Sequence, residues 1–267
     1  MTLFLSRLAL VFILGLTLLS SNTVFAEDSG ADQELPTTIT FPSEDGLEIT
    51  ADLYLAHEDA ETPFVVLFHQ AGWSRGEYLE IAPKLNRLGF NCMAIDQRSG
   101  GEVNGVKNET HARATAARKG TVYSDALPDM IAALRFAREH HAKGKILAWG
   151  SSYSSALVLK LGGDQPGLVD GLASFAPGEY FEKLGKTNTW IQDSAQNIHK
   201  PVFITSAKNE HGSWKPIFDK IPSKAKVSFL PSTDGNHGSR ALWKQFEDSS
   251  AYWSALVPFL REHFLED

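Results

Sequence analysis

Residues 64–68, Phe64-Val65-Val66-Leu67-Phe68, are apolar without interruption. A strand with one wet face alternates apolar and polar positions. A continuous run of this length is expected where both faces of a sheet are covered. Further short strand runs occur at residues 90–95, 146–149, 171–176 and 201–206. Between them lie helical patterns: residues 77–88 with Leu79, Ala82, Leu85 and Leu88 on one face and Gly89 closing the C-terminus, and residues up to His140 with Leu127, Met130, Ile131 and Leu134 facing inward. Ser124 or Asp125 can cap the second helix, where Pro128 is tolerated because it falls in the first turn. Strand, helix and strand joined by short connections make right-handed parallel units. The sequence therefore predicts an α/β protein with a doubly wound, mostly parallel sheet of about eight strands and helices on both faces. Asp45-Gly46 between runs 37–41 and 48–55 predicts an antiparallel opening hairpin. Residues 226–230 read as the last strand and 252–264 as the closing helix.

The chain has 267 residues, enough for one such domain. Its first residues follow a different rule. Arg7 precedes an apolar run from Leu8 to Leu19, then Ser20, Ser21 and Asn22, then Val24-Phe25-Ala26 with compact residues at a cleavage site. This is the pattern of a secretory signal peptide, and the run is too short to span a bilayer comfortably. The expected organisation is a signal peptide over 1–26, a flexible mature N-terminus over 27–36 and one domain over 37–267, exported to the periplasm or secreted. Net charge is −7, and loss of Arg7 with the leader makes the mature chain more acidic still. That balance argues against nucleic acid or anionic membranes as partners and against stable membrane association after cleavage. The single Cys92 lies in an apolar run and reads as a core thiol.

Two stretches break the periodicity. Residues 100–120 turn polar and small, including Asn104, Asn108, His111 and Lys119, as a functional loop or lid would. Asn108-Glu109-Thr110 matches a glycosylation acceptor, which an exported bacterial-type protein would leave unmodified. A short helix near 110–118 is compatible with the pattern. Residues 180–200 are irregular and carry an exposed-looking Trp190.

The chemistry is concentrated where the strand 146–149 runs into Gly150-Ser151-Ser152-Tyr153-Ser154 and then into a helix with Leu157, Val158 and Leu161 on its apolar side. Small residues two before and two after Ser152 let the backbone turn tightly and project its hydroxyl from the sheet edge. Ser154 is flanked similarly but lies too far from the strand end. This corner resembles the nucleophile elbow, Gly-x-Ser-x-Gly, of the α/β-hydrolase superfamily, with serine in place of the last glycine. A serine nucleophile needs a base, and the base an orienting carboxylate. In a parallel sheet such partners follow other strands.

His237 follows the last strand within Gly235-Asn236-His237-Gly238, where the resemblance also places the superfamily's histidine. Glu210 follows the strand 201–206 at the superfamily's acid position and gives the order Ser152, Glu210, His237. Glu179 is its main rival, and Asp234 a third candidate better suited to shaping its loop. Of the oxyanion donors, the backbone N–H of Tyr153 follows from the corner itself. His69-Gln70-Ala71-Gly72 resembles the superfamily's His-Gly-x-Gly loop and implicates the N–H of Ala71, with Gln70 as the alternative. His69 reads as a loop-shaping residue. Asp96-Gln97-Arg98 resembles the Asp-x-Arg-Gly loop of many relatives and takes a structural role.

Spacing for a metal site or a phosphate loop is missing, so no cofactor is implied. The chain is similar to the small, capless dienelactone-hydrolase-like branch, whose nucleophile is cysteine where this chain has serine. The resulting expectation is a serine hydrolase acting on small ester-type substrates through an acyl-enzyme. A peptidase on the same fold and a non-catalytic ligand-binding protein are the alternatives. Trp73, Tyr153, Tyr180 and Trp190 are candidates for an aromatic acyl pocket.

Overall fold

The structure is a computed structural model, and it describes residues 35–265. The signal peptide and nearly all of the expected flexible N-terminus lie outside the described residues. An eight-stranded sheet dominates, with strand order β1-β2-β4-β3-β7-β8-β9-β10. Its strands are β1 (Thr37–Pro42), β2 (Glu48–Tyr54), β3 (Phe64–Phe68), β4 (Asn91–Ile95), β7 (Ile146–Ser151), β8 (Gly171–Phe175), β9 (Val202–Thr205) and β10 (Lys226–Phe229). Within this sheet β1 with β2 and β2 with β4 pair antiparallel, and the other neighbouring strands pair parallel. Every residue of β3, β4, β7, β8 and β9 is buried, as uninterrupted apolar runs require. Helices α1 (Ile81–Leu88), α2 (Glu109–Ala116), α3 (Leu127–His140), α4 (Tyr153–Asp164), α5 (Gln192–Ala195), α6 (His211–Lys220) and α7 (Ser249–Phe264) complete the regular structure with the small β5 (Glu102–Val103) and β6 (Val106–Lys107) hairpin.

Alternate residues along the central strands feed two separate cores. Val66, Phe68, Ala148 and Leu172 join Met130, Leu134 and Leu157 on one face. Val65, Leu67, Trp149 and Ala173 join Leu85, Leu256 and Leu260 on the other. The sheet is thus covered on both sides, as expected of a doubly wound α/β fold.

Several local expectations are corrected. The segment 77–88 is not one helix: a single 3-10 turn, Arg75–Tyr78, precedes α1, and Leu79 is exposed. Glu77 turns inward to meet buried partners, so the apolar stripe starts at Ile81. Neither Ser124 nor Asp125 caps α3. Asp125 instead accepts the N–H of Val122 and closes a 3-10 turn ahead of the helix.

Residues 100–120 are fastened rather than loose. Asn104 (φ 51°) and Gly105 (φ 74°) form the two-residue turn of the β5–β6 hairpin, the backbone sign pattern that lets flanking strands keep their twist. Ser74 Oγ and Arg75 hold the carbonyls of Val106 and Lys107. Asn108 is buried, caps α2 through the N–H of His111, and gives its amide to His69, Trp73 and Gln97, so it is no glycosylation acceptor in the fold.

Candidate active site

The edge reached by the C-terminal ends of the parallel strands collects the candidate residues. Ser152 sits between β7 and α4 with φ 57° and ψ −122°, a conformation that L-residues adopt only under constraint. What imposes it is close packing. The Ser152 N–H donates to Phe175 O at 2.8 Å, and a side chain on Gly150 would strike the backbone of Ser154 at 2.4 Å. Ser152 is half-buried, and its Oγ makes no hydrogen bond among the described residues. Ser154, by contrast, is fully buried. Its hydroxyl donates to His69 O and accepts from Gln97 Nε2 at 2.7 Å. A serine in place of the usual last glycine therefore ties the corner to two neighbouring loops, and Ser154 is no rival nucleophile.

His237 and Glu210 meet directly. Imidazole Nδ1 donates to Glu210 Oε1, and Oε2 accepts the Ala207 N–H at 3.1 Å. An ionised carboxylate only accepts, so the proton is on Nδ1 and Nε2 carries the free lone pair. The two loops are pinned to each other: Lys208 N–H donates to Asp234 O at 2.8 Å, and Tyr252 OH bridges Asn236 N–H and Ser206 O. The histidine loop also lies against the serine corner, because Ser239 N–H donates to Ser151 Oγ at 2.8 Å. Gly238 has φ 73°, and a Cβ there would stand 2.5 Å from that same Oγ.

The rival acids are engaged elsewhere. Both carboxylate oxygens of Glu179 accept backbone N–H groups of Ile191 and Gln192 at the start of α5. Asp234 is exposed and shapes its loop through its carbonyl.

The loop after β3 turns over Gln70-Ala71-Gly72-Trp73, closed by Trp73 N–H to Gln70 O, with Gly72 at φ 74°. The Gln70 N–H is occupied by Glu77 Oε2 at 2.7 Å. Among the described residues the N–H groups of Ala71 and Tyr153 have no hydrogen-bond partner, which separates Ala71 from its alternative Gln70.

A family model described as serine aminopeptidase S33 (Hydrolase_4) matches residues 60–200, just over half of the chain. The chain belongs to this family. The matched span holds the loop after β3, Asp96-Gln97-Arg98 and the Ser152 corner, and stops before Glu210 and His237. Comparison with curated proteins returns no match. Among solved structures, the chain is similar to the Pyrococcus furiosus esterase Pf2001 at 16% identity and TM-score 0.66, covering 86% of this chain and 93% of that one. Dienelactone hydrolase from Anabaena variabilis is 13% identical with TM-score 0.64, covering 86% and 100%. Est1E from Butyrivibrio proteoclasticus, whose structure holds ferulic acid, is 12% identical with TM-score 0.64, covering 85% and 100%. These likenesses carry the fold. The chain is a hydrolase of the α/β-hydrolase superfamily.

Around the candidate site, burial sets the charge states. His69 Nδ1 donates to Gln70 O while Nε2 accepts the Gln97 N–H, and burial drops its pKa to about 4, so it is a neutral strut between two loops. Asp96 is pushed up to about 6 by burial, against the pull of Arg75, which bridges it to Asp52. Arg98 is clamped by buried Asp129, by Asp45 and by Ser43 Oγ. Both loop charges are structural, as expected.

The aromatic candidates divide. Tyr153 is buried, with its hydroxyl on Ser99 O and its ring stacked on exposed Tyr123 at 4.7 Å. Tyr180 OH donates to Ala176 O. Trp73 stacks on Trp243, and Trp190 packs edge-on against Phe181 beneath the Lys160 ammonium, so these two indoles are engaged in packing. A polar depression of about 480 Å³ lies beside the Glu210–His237 pair, between Asn209, Asp234, Asn236 and Arg240.

One hydrogen-bonded pair escaped the sequence reading. Ser151 and Glu77 form a hydrogen-bonded pair directly beneath the corner, Ser151 Oγ donating to Glu77 Oε1 at 2.7 Å. A glutamate at the start of a helical segment reads as an ordinary favourable N-terminal charge, which masked it.

Proposed function

We propose that the chain is an exported serine hydrolase that cleaves carboxylic ester bonds in small molecules through an acyl-enzyme. The observation that carries this reading is the Glu210–His237 hydrogen bond, in a loop fastened by its backbone to the residue preceding the strained Ser152. Ser152 Oγ attacks the ester carbonyl and passes its proton to His237 Nε2. Glu210 holds the proton on Nδ1 and stabilises the imidazolium that forms. The N–H groups of Ala71 and Tyr153 receive the oxyanion, each worth about 3 to 4 kcal/mol. His237 then protonates the departing alcohol. Water, deprotonated by the same imidazole, releases the acid and restores Ser152. Export rests on the charged, apolar and small-residue order of residues 1–26.

The family's printed name, serine aminopeptidase, favours a second reading, a peptidase that acts beside a free amino terminus. Such a substrate carries an ammonium, which calls for a carboxylate facing the site. Glu210, Glu77 and Glu179 are all committed to other hydrogen bonds, whereas Asp234 is exposed and lines the depression beside the Glu210–His237 pair, so the relative turnover of esters and aminoacyl amides decides between the two readings.

The test is labelling by a fluorophosphonate probe alongside turnover of short nitrophenyl esters and aminoacyl amides. Wild type and Ser154→Ala are expected to label and to prefer esters, and Ser152→Ala to do neither. A wild-type protein that binds ligand without labelling is a binding protein. Faster amide than ester turnover makes it a peptidase.

A further inference from the structure

Glu77 is fully buried, yet it lies outside the proposed triad and, among the described residues, outside any ion pair. Its two carboxylate oxygens are divided between two loops. Oε2 accepts the N–H of Gln70, the residue before Ala71 in the turn after β3. Oε1 accepts the hydroxyl of Ser151, the residue before Ser152. That hydroxyl in turn accepts the N–H of Ser239, two residues beyond His237. One side chain therefore sets the relative positions of the oxyanion loop, the serine corner and the histidine loop, without touching substrate.

The packing leaves little slack. A Cβ on Gly238 would meet both Ser151 Oγ at 2.5 Å and Gln70 Oε1 at 2.9 Å, so the three segments are in contact around this carboxyl. The 3-10 turn carrying Glu77 is itself held, by Ser74 Oγ on the Gly76 N–H and by Trp243 Nε1 on the Glu77 carbonyl.

We propose that Glu77, acting through Ser151, is a positioning residue that holds the oxyanion donors, the nucleophile and the base in register. This rests on the hydrolase reading given above. A carboxyl fits the place because two donors converge on it and neither has another acceptor. An amide offers one acceptor oxygen and must turn its own donors toward one of them. Arg240 faces the carboxyl as a charged group and His237 and Tyr78 as titratable ones, and burial pushes Glu77 up to about 7, the range in which turnover is measured.

The experiment measures kcat and KM for p-nitrophenyl acetate from about pH 5 to about pH 9. It compares wild type, Glu77→Gln, Ser151→Ala and the double variant, with thermal unfolding and fluorophosphonate labelling of each. Misalignment of reacting groups by about 1 Å costs on the order of 100-fold. Glu77→Gln and Ser151→Ala are each expected to lose about 10- to 100-fold in kcat with KM within about twofold. The double variant is expected to lose no more than the worse single, because both changes break one connection. The acidic limb of the kcat profile is expected to change shape in Glu77→Gln. Ser151→Ala keeps the question answerable if the glutamate variant does not fold. Wild-type kcat and profile in either folded variant, or losses that multiply in the double variant, overturn the proposal. A wild-type protein that neither labels nor hydrolyses esters overturns the hydrolase reading itself, which distinguishes the two failures.

Discussion

Replacing Glu210 by glutamine tests the acid with a change of one atom. In the native site its two oxygens accept from two donors, His237 Nδ1–H and the backbone N–H of Ala207. Glutamine has one acceptor oxygen. The backbone donor cannot change its character, so the amide oxygen goes to Ala207 and the amide nitrogen faces the imidazole. The ring must then carry its proton on Nε2, where it cannot receive the proton of Ser152. Turning the amide back sets two donors against each other at Ala207, a penalty of about 1 to 3 kcal/mol for the unsatisfied group. Loss of the ionised acceptor removes a further 1.5 to 3 kcal/mol or so from the imidazolium. Side-chain exposure of 24% for Glu210 and 33% for His237 screens part of this. The sum is about 3 to 5 kcal/mol, or a loss of about 10²- to 10⁴-fold in kcat. Glu179→Gln is the control. It weakens the cap on α5, costs about 1 kcal/mol of stability and leaves turnover at the wild-type value. Nitrophenyl ester kinetics with urea unfolding of both variants decide the matter. Wild-type turnover in a folded Glu210→Gln protein, or collapse in Glu179→Gln, would refute the assignment.

Three further outcomes follow from the same geometry. Glu77 binds its proton more tightly folded than unfolded, so the folded state holds more protons between about pH 4.5 and about 7 and stability falls as pH rises through that window. Urea midpoints should therefore show wild type gaining on Glu77→Gln by roughly 3 kcal/mol from pH 8 down to pH 5, with a constant difference contradicting the buried ionisation. Gly238→Ala puts a Cβ into Ser151 Oγ at a backbone angle that disfavours it. We expect a loss of about 2 to 4 kcal/mol by urea unfolding and of more than about tenfold in kcat, and a silent substitution would deny the loop its fixed seat. Arg98→Met strands the fully buried Asp129 and should cost about 3 to 5 kcal/mol in the same assay, most of it regained in Arg98→Met with Asp129→Leu; an equally unstable double variant would count against the ion pair as the cause.

The sheet was legible because burial on both faces leaves a mark in composition: β3, β4, β7, β8 and β9 are apolar or small at nearly every position, as strands covered by a layer on each face must be. The serine corner was legible for a related reason, since only small residues fit where β7 turns into α4. What escaped was set by tertiary contact. Leu79 sits at helical spacing from Ala82 and Leu85, but the inward turn of Glu77 sends it to solvent. The helix α6 contains Gly212 and Pro216, two residues that work against a helical reading. It survives because Gly212, whose carbonyl the proline leaves without its helical donor, lies exposed to water. Asn104-Gly105 was a readable hairpin signal lost among polar neighbours.

The same distinction bears on how the site works. Ser152, Glu210 and His237, the proposed triad, stand out in the sequence because each follows a strand and each brings its own chemistry. The groups that hold them in register have no such signature. Ser154, Ser151, His69 and Glu77 act by hydrogen bonds between segments up to 88 residues apart, as in the Ser239 N–H to Ser151 bond. Each of these bonds joins one loop at the C-terminal edge of the sheet to another. A strained Ser152 backbone costs on the order of 1 to 3 kcal/mol and persists only if its surroundings over-determine it. Those bonds are the surroundings in question. Weakening them should let the corner relax before the sheet loses any of its own pairing, so activity should fall at lower urea than the global unfolding transition in Ser151→Ala, while wild type loses both together. Coincident loss in both proteins would mean that the strain is held by the strands alone.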